Sequence, residues 1–292
     1  MNKLSILVSF RNEEDNIAKF IENINSSFLK NKINNYEIIF VDDDSSDNSF
    51  KILTSFANND KKIKIIKMRK RFGHSNSIQA GLENINEENF CVLIDCDLQD
   101  SPSLIAENLN FDDKLNTIHF VRKNRDDGFF QKIYSYIAYQ ILNFISFGKI
   151  IKNAGYFKII PPSTTKKLKL DNEFLPYWNY LITKYSSNNK KVYYTRNKRF
   201  SGESKFSFVS LNPWMTYFGG LYYFKYNFIL LSIIILISNL FLNYFYDSYF
   251  IGILCYIINL SISLNLFFFL IYLYFKSKKK KFKCEYELIN FF

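Results

Sequence analysis

The sequence predicts an α/β protein, in which a Rossmann-like domain with a mostly parallel sheet precedes two long apolar helices. Short apolar runs alternate with helical patterns over residues 1–110, as in βαβ units. Asp-rich turns follow two of these apolar runs. Residues 226–275 are almost continuously apolar and aromatic, and a cluster of lysines comes directly after them. Together these observations indicate a ligand-binding α/β domain followed by a hydrophobic hairpin.

The α/β domain is predicted from apolar runs of strand length that are separated by helical periodicity. We predict strands at Leu4–Phe10, Glu37–Val41, Ile63–Met68 and Phe90–Ile94, and helices at Glu14–Leu29, Ser49–Phe56 and Ser75–Glu83. Ligands of parallel sheets bind beyond the carboxyl ends of the strands. The acidic turns at Asp42–Asp44 and Asp95–Asp100 both follow strands, so we expect them to face one crevice.

The C-terminal half carries the pattern of a membrane hairpin. Tyr226–Tyr246 and Ser248–Phe275 contain no charged residue and reach the length of about 20 apolar residues that a bilayer requires. Lys225 and the lysines from Lys276 onward flank the pair, whereas the turn around Asp247 has neither Lys nor Arg. The positive-inside rule then predicts a multi-pass protein of the inner (cytoplasmic) membrane, with the α/β domain and the C-terminus in the cytoplasm.

These patterns divide the chain into four parts. Residues 1–211 are expected to form the α/β domain and residues 212–225 an interfacial segment. Residues 226–275 are expected to form two transmembrane helices (about 226–246 and 248–275), and residues 276–292 a basic cytoplasmic tail. The aromatic-rich segment 129–147 inside the first part predicts a helix that lies either at a membrane interface or buried against the protein.

Charge and cysteine usage exclude several classes of protein. The net charge is +11, but six lysines of that excess lie between Lys276 and Lys283, where a cytoplasmic anchor would sit, and no base-reading motif is present. We therefore predict no nucleic-acid partner. The four cysteines are widely scattered, which is untypical of a disulfide framework, and with two histidines a His-based metal site is not expected.

The most informative local motif is Asp95-Cys96-Asp97-Leu98-Gln99-Asp100, which follows the fourth predicted strand. Two carboxylates two residues apart can share a hard divalent cation, and Gln99 can add a neutral oxygen. Such a cation, Mg²⁺ or Mn²⁺, would bridge the phosphates of a nucleotide diphosphate and neutralise charge on the leaving group. The motif alone also fits a solvated acidic turn that caps the next helix.

Five motifs occur in the order found in a known enzyme family, and the acidic motif is the fourth of them. The others are Val8-Ser9-Phe10-Arg11-Asn12-Glu13-Glu14, Val41-Asp42-Asp43-Asp44-Ser45-Ser46-Asp47, Phe72-Gly73-His74 with Ala80-Gly81, and Arg199-Phe200-Ser201-Gly202-Glu203-Ser204-Lys205. Together they resemble the family-2 inverting glycosyltransferases with a GT-A fold, in the branch of dolichol-phosphate mannose synthases and bacterial polyprenyl-phosphate glycosyltransferases. The likeness covers about residues 3–211.

The resemblance implies roles for the matching residues. The residues implied to bind the nucleotide sugar are Phe10, Asn12, Glu13, Asp42, Asp43, Lys70, Arg71, Gly73, Asp95 and Asp97. The implied metal ligands are Asp95, Asp97 and Gln99. The residues implied to grip phosphate on the acceptor or the donor are Arg122, Arg125, Arg199, Ser204 and Lys205. Asp97, Arg199 and Lys205 would carry catalysis, while for Arg122 and Arg125 the alternative is an exposed surface charge.

One departure from the family bears on the chemistry. A segment that commonly reads Asp-x-Gly-Asp-Phe-Arg is Asn153-Ala154-Gly155-Tyr156-Phe157-Lys158 here, so both carboxylates are absent, including the usual candidate for the general base. A phosphomonoester acceptor has a second pKa of about 6 and is already anionic near pH 7, so it needs little help from a base. Asp100, Asp126 and Asp127 remain candidate bases.

The leading hypothesis is transfer of one sugar from a UDP- or GDP-sugar to a polyprenyl phosphate, with inversion and with Mg²⁺ or Mn²⁺ as cofactor. One alternative keeps the fold but transfers the sugar to a hydroxyl of a lipid-linked or surface glycan. A further alternative is a scaffold that binds nucleotide sugars without turnover, suggested by Asn153 and Tyr156. The expected partners are the nucleotide sugar, the lipid phosphate and the membrane, and the resemblance leaves room for a homo-oligomer.

Overall fold

The computed structural model of the chain describes residues 3–123, 136–137, 139–144, 146–171, 176–197, 224–245, 249–278 and 285–289. The chain divides into two compact units. The first unit comprises residues 1–128, 150–205 and 281–292, and the second comprises residues 129–149 and 206–280.

The first unit is built on an eight-stranded sheet with the order β7-β5-β6-β4-β1-β2-β3-β8. The strands are β1 (Leu4–Phe10), β2 (Tyr36–Asp42), β3 (Ile63–Met68), β4 (Phe90–Leu93), β5 (Asn116–Arg122), β6 (Ala154–Ile160), β7 (Asn188–Tyr194) and β8 (Tyr286–Ile289). β6 runs antiparallel to β4 and β5, and β8 runs antiparallel to β3, while the other neighbouring pairs are parallel. The carboxyl ends of the six parallel strands therefore meet at one edge, together with the first residues of β6 and β8. The predicted mostly parallel α/β sheet is confirmed.

Helices cover both faces of this sheet. The helices are α1 (Glu14–Lys30), α2 (Ser49–Asn59), α3 (His74–Glu83), α4 (Ser103–Asn108), α5 (Pro162–Lys169) and α6 (Trp178–Tyr185). Alternate residues of β1, such as Ile6 and Val8, join the core cluster that contains Ile17, Phe20 and Ile24 of α1. The four strands and three helices predicted over residues 1–94 all form, and their ends differ from the prediction by at most a few residues. The prediction succeeds because the local apolar periodicity of each segment indicates which of its residues are buried.

The opposite face of β1 packs against α3 with very little clearance. A Cβ atom added at Gly81 would lie 2.0 Å from Cδ1 of Leu7, which is itself buried. Glycine is therefore needed at this position for close packing rather than for its backbone freedom. This contact fixes the distance of α3 from the sheet. The helix α3 begins after β3, at the edge where the carboxyl ends of the parallel strands meet.

The second unit contains two long helices, α7 (Lys225–Phe245) and α8 (Tyr249–Lys278). The two helices contact each other through an edge-to-face ring pair between Phe228 and Phe269, with centroids 5.1 Å apart, and through a hydrogen bond of 2.8 Å from Asn239 to Asn259. Other large apolar side chains on both helices are exposed. Two helices thus form in the part of the chain where the sequence analysis placed its hairpin.

The prediction that these helices cross a membrane is not supported. A spanning helix needs about 20 predominantly apolar residues in one run. Among the residues that the structure describes, no helix is both long enough and apolar enough to meet that requirement. This finding overturns the prediction of a multi-pass protein of the inner (cytoplasmic) membrane. Polar residues such as Asn239 and Asn259 interrupt the apolar runs and pair with each other.

The predicted tail over residues 276–292 differs from the structure. Tyr286–Ile289, which the sequence analysis placed in a basic tail over residues 276–292, instead forms β8 at the edge of the sheet. The strand was missed because four residues next to a lysine cluster give no clear periodicity. Of the segment 129–147, residues 139–144 are helical, whereas residues 129–135 lie outside the described part. The predicted interfacial segment 212–225 lies almost entirely outside it as well.

We predict that Gly81→Ala destabilises the first unit by about 1–3 kcal/mol, because the new methyl group must displace the buried Leu7 side chain. Chemical denaturation measures the change in the free energy of unfolding. Gly252→Ala is the matched control, since a Cβ atom there would meet nothing within 4 Å. The double variant Leu7→Ala/Gly81→Ala should lose less than the sum of the single variants. An additive double variant would contradict the packing argument.

Candidate functional site

Polar turns follow the first four strands at the carboxyl edge of the sheet. The turns after β1 and β2 are joined by hydrogen bonds. The Asn12 backbone N–H donates to Oγ of Ser45 at 2.9 Å, and the Ser46 backbone N–H donates to Oδ1 of Asn12 at 2.8 Å. The Glu13 N–H donates to Oγ of Ser49 at 2.8 Å. Asn12 adopts a positive φ of 52°, a conformation that Asn tolerates better than most residues.

The side chain of Phe10, which is also predicted to bind the nucleotide sugar, lies in the core. Its side chain is buried and packs edge-to-face on Phe40 with the ring centroids 6.0 Å apart. Its backbone carbonyl accepts a hydrogen bond of 2.9 Å from the N–H of Asp43. The backbone of Phe10 therefore helps to hold the turn after β2 in place.

Asp42 and Asp43 are both buried, and both bind protein groups. Oδ1 of Asp42 accepts the Ser45 N–H at 2.9 Å, while burial raises the pKa of Asp42 although this bond opposes the shift. The Asp43 carboxylate accepts the backbone N–H groups of Phe72 at 2.7 Å and Gly73 at 2.9 Å. Asp43 thus fixes the loop Arg69–Gly73, which we call the β3–α3 loop. Gly73 has φ of 88°, so the loop needs glycine here.

Two of the other residues predicted to bind the nucleotide sugar, Lys70 and Arg71, are exposed on the β3–α3 loop. Their charges can reach solvent or a ligand beyond the sheet edge. The next residue after the loop, His74, packs edge-to-face on Tyr156 with the ring centroids 4.6 Å apart. Burial lowers the pKa of His74, although Asp43 opposes the shift, so His74 is neutral at pH 7. The β3–α3 loop therefore carries exposed cations and is followed directly by the ring pair of His74 and Tyr156.

Three carboxylates after β4 surround one arginine that the sequence analysis did not select. Nη2 of Arg196 lies 3.5 Å from Oδ2 of Asp95 and 3.5 Å from Oδ2 of Asp97. Asp100 binds the same guanidinium through Nε at 2.9 Å and Nη2 at 3.1 Å. The hydroxyl of Tyr194 donates a short hydrogen bond to Asp100. Arg196 follows β7, so the sheet topology brings it opposite the turn that follows β4.

The charged groups of this cluster shift one another's pKa values. Burial raises the pKa of Asp95 and of Asp97, and the neighbouring carboxylates raise both further, while Arg196 lowers them. Burial disfavours the charged form of Arg196, yet Asp100 and the two other carboxylates raise its pKa overall. The Asp97 side chain is 7% exposed and that of Asp100 only 1%, so water can screen little of the repulsion.

The carboxylates of Asp95 and Asp97 are oxygen ligands of the kind that a hard cation prefers. Carboxylate oxygens of Asp95 and Asp97 approach the same cationic nitrogen, so an oxygen-lined position for positive charge already exists between them. Among the described residues, however, no group of three or more His, Cys, Asp or Glu side chains is arranged to hold a metal ion. Gln99 donates its side-chain amide to the carbonyl of Asn197 at 3.3 Å and so connects the two turns.

Basic residues line the same edge where β5 meets β6. Arg122, at the end of β5, lies so close to Gly155 that a Cβ atom on Gly155 would be 2.8 Å from Nη2 of Arg122. Lys158 is fully buried and donates to the carbonyl of Gly155 at 2.6 Å. Burial, reinforced by the charge of Arg122, lowers the pKa of Lys158 to about 7. The charge of Arg122 therefore acts on the acidic turn, where it lowers the pKa of Asp95.

The remaining predicted phosphate-binding residues are Arg125, Arg199, Ser204 and Lys205, and all four lie outside the described residues, as do the candidate bases Asp126 and Asp127. Arg196 was missed because it lies three residues before the Arg199 motif, in a stretch without its own pattern. The signal that could have found it is the strand pattern of Val192–Tyr194, because a residue that follows a parallel strand lies at the ligand-facing edge.

Sequence comparisons identify the family to which the chain belongs. The family described as "Glycosyl transferase family 2" matches residues 5–169. The glycosyltransferase YkcC of Bacillus subtilis, whose own activity is uncharacterised, is 31% identical over 204 residues, which are 69% of this chain and 62% of that protein. An undecaprenyl-phosphate 4-deoxy-4-formamido-L-arabinose transferase of Yersinia pestis is 32% identical over 134 residues, which are 45% of this chain and 40% of that protein. The chain thus spans less than two thirds of either relative.

Solved structures show weaker likeness. A mannosyltransferase from Pyrobaculum calidifontis in complex with GDP-Man and Mn²⁺ has a TM-score of 0.45 and 14% identity, over 65% of this chain and 54% of that one. A glucosyl-3-phosphoglycerate synthase from Mycobacterium tuberculosis in complex with Mn²⁺, UDP and glucosyl-3-phosphoglycerate has a TM-score of 0.46 and 14% identity, over 69% and 73%. At these scores the likeness carries no inference about activity.

We predict that Arg196→Gln destabilises the first unit by about 2–4 kcal/mol at pH 8, because three carboxylates, two of them buried, lose their counter-charge. Asp95 and Asp97 have raised pKa values, so the folded state binds protons more readily than the unfolded state does. The loss should therefore shrink as the pH falls, because protonation of Asp95 and Asp97 removes charges that Arg196 compensates. Denaturant unfolding at several pH values measures it.

The matched control for this experiment is Arg69→Gln. It removes the same charge from a side chain that is 60% exposed and whose ion pairs are long, at 3.8 and 3.9 Å. We expect less than about 0.5 kcal/mol and no dependence on pH. Equal losses for the two variants would show that Arg196 is not the counter-ion of the acidic turn.

Proposed function

Because the chain belongs to glycosyl transferase family 2, we propose that it transfers one sugar from a UDP- or GDP-sugar to a polyprenyl phosphate, with inversion and with a divalent cation. The observation that carries the proposal is the convergence of Asp95 and Asp97 on one cationic nitrogen at the carboxyl edge of a parallel sheet. That edge is where parallel α/β sheets bind their ligands. The similarity to an undecaprenyl-phosphate sugar transferase of Yersinia pestis supports the choice of acceptor.

Asp95 and Asp97 would hold the cation, Mg²⁺ or Mn²⁺. Their donor set fits a hard ion, because both offer carboxylate oxygens that already face a positive charge. When bound, such an ion offsets the negative charge that develops on the departing diphosphate. The resemblance adds Gln99 as a neutral ligand. Its side-chain oxygen would bind the cation, while its amide nitrogen donates to the carbonyl of Asn197.

The turns after β1, β2 and β3 would receive the nucleotide. Asp43 shapes the β3–α3 loop by accepting two of its backbone N–H groups, so it would act on the nucleotide through that loop as well as directly. Lys70 and Arg71 are exposed on the same loop, where their charges can approach phosphate. Asn12 and Glu13 hold the neighbouring turn in place. These residues orient the donor, and orientation supplies a large part of the rate in transfers of this kind.

The acceptor is proposed to be a phosphate because the site offers it cations and offers a hydroxyl no suitable base among the described residues. Asp100 is buried and accepts hydrogen bonds from Arg196 and Tyr194, so it is unsuited to take a proton from an acceptor. Arg122 lies at the same edge and acts electrostatically on Asp95. A phosphomonoester that is already anionic near pH 7 needs positive charge rather than a base.

In the proposed reaction an acceptor phosphate oxygen attacks the anomeric carbon, and the bond from that carbon to the donor diphosphate breaks. Arg122 would reduce the repulsion between the anionic acceptor and the anionic donor, and the turns described above would hold both in line. The outlying motif residues Arg199, Ser204 and Lys205 are proposed to grip the same phosphates, on the resemblance alone. The nucleoside diphosphate leaves with the electron pair of the broken bond.

We predict that purified protein transfers label from one member of a panel of UDP- and GDP-sugars to undecaprenyl phosphate in detergent, and that EDTA stops the transfer. Asp97→Ala should lower the rate by at least about 100-fold, because it removes one of the two proposed cation ligands. Thin-layer chromatography of the organic extract measures the product. Glu107→Ala, on α4 and outside the site, should leave the rate within about twofold.

Two results would contradict this proposal in different ways. Transfer to a glycan hydroxyl but not to undecaprenyl phosphate would keep the transferase and replace the acceptor. Metal-dependent nucleotide binding without transfer to any acceptor would instead support a scaffold, which Asn153 and Tyr156 suggested in the sequence.

We further predict that Gly155→Ala lowers kcat/KM for the lipid phosphate by about 10- to 100-fold, because the added Cβ atom must move the Arg122 guanidinium. The dissociation constant for the nucleotide should change by less than about twofold. Arg122→Gln should give a similar loss, and the double variant should lose no more than either single one. Independent, multiplying losses would show that Gly155 does not act through Arg122.

A further inference from the structure

The strand β8 extends the sheet at the point where the β3–α3 loop begins. Its register places Tyr286 opposite Met68, the last residue of β3. Pairing continues one residue beyond the strand, because the N–H of Arg69 donates to the carbonyl of Glu285 at 3.0 Å. The first residue of the β3–α3 loop is therefore held by the C-terminal part of the chain. Only the backbone of Glu285 is needed for this bond.

The same strand also holds the far end of α3. The hydroxyl of Tyr286 donates to Oε2 of Glu83 at 3.0 Å and accepts a hydrogen bond of 3.1 Å from Nδ2 of Asn84. Glu83 is the last residue of α3, and Asn84 follows it. One tyrosine side chain thus uses both its donor and its acceptor capacity to fix the end of the helix that the loop leads into.

β8 and Asp43 act on the two sides of the same segment. Asp43 binds the loop at Phe72 and Gly73, on the side of the site. β8 binds the segment at Arg69 and at the end of α3, at the edge of the sheet. Protection of an exposed sheet edge would need only the ladder between β3 and β8. The bonds of Tyr286 to α3 and of Glu285 to the loop go beyond such protection.

The ion pairs of Arg69 with Glu285 and Glu287 contribute little to this attachment. Their distances are 3.8 and 3.9 Å, and all three side chains are well exposed. The backbone ladder and the two hydrogen bonds of Tyr286 are therefore the interactions that hold the segment. This separates the attachment from the surface charge and allows the two to be tested by different variants.

We propose that β8 is a positioning element of the nucleotide site: Tyr286 and the backbone of Glu285 hold the β3–α3 loop and α3 in the arrangement that receives a nucleoside diphosphate. The proposal rests on the proposed function, which places the nucleotide at this loop. No residue of β8 needs to touch the ligand. A loop that is ordered before binding spares the ligand the entropic cost of ordering it, so loss of β8 weakens binding without removing a contact.

The test compares Tyr286→Phe and a chain that ends at Cys284 with the wild-type chain. Hydrogen exchange of residues 69–84 reports the order of the segment, and calorimetric titration with UDP and with GDP, each with Mn²⁺, reports binding. In Tyr286→Phe we expect faster exchange of residues 69–84 and nucleotide binding weaker by about 3- to 10-fold, the effect of one or two lost hydrogen bonds. The shortened chain, which lacks the whole of β8, should lose at least about 10-fold.

Leu288→Ala is the matched control on the same strand. Leu288 pairs with Ile66 through its backbone and its side chain is exposed, so exchange and binding should both stay within about twofold of the wild type. Circular dichroism checks that each variant is folded, and Tyr286→Phe keeps the whole chain if the shortened form does not fold. The ion pairs of Arg69 contribute little to the attachment, so exchange and binding in Glu287→Gln should also stay as in the wild type.

Two results would overturn the proposal. Unchanged exchange of residues 69–84 in Tyr286→Phe would show that β8 does not hold the segment. Faster exchange with unchanged affinity would show that the segment does not need this order to bind the nucleotide. A wild-type chain that binds neither UDP nor GDP would instead contradict the proposed function, and the exchange data would still decide whether β8 holds the loop.

Discussion

Repulsion among three carboxylates at one edge of the sheet is the constraint around which the candidate site is organised. Asp95, Asp97 and Asp100 follow the same strand, and water has little access to two of them. Such a group is unfavourable unless a cation lies among them, and in the described part of the chain Arg196 supplies that charge. The strands β5 and β6 lie between β7 and β4, and the residues after β7 bring Arg196 back to the acidic turn at the same edge of the sheet.

This arrangement carries a conflict between stability and binding. A folded state that neutralises its acidic turn is more stable than one that leaves the turn without a counter-charge, but the guanidinium of Arg196 then lies where the proposed divalent cation would bind. Ligand sites commonly retain such unfavourable charge because their function needs it. Here the conflict is limited by geometry. Asp100 binds Arg196 closely, at 2.9 and 3.1 Å, whereas Asp95 and Asp97 approach it only to 3.5 Å.

The loops around the acidic turn are fixed from several directions. Asp43 binds the β3–α3 loop from the centre of the sheet, Gly81 sets the distance of α3 from β1, and β8 holds the segment at the edge. Each of these contacts is small by itself. Their combination gives a loop with exposed cations a defined backbone, which the proposed binding of a flexible nucleotide sugar would require.

The sequence by itself determined the four strands and three helices of residues 1–94, the acidic turns and the two C-terminal helices, because local apolar periodicity and strand-end motifs encode them. It could not identify Arg196, the closeness of Gly155 to Arg122 or the core position of Phe10, since these depend on which strands become neighbours. It also suggested membrane crossing for helices that do not meet the requirement over the described residues. Only the tertiary structure decided that Tyr286–Ile289 joins the sheet, because strand pairing between residues more than 200 positions apart leaves no local pattern.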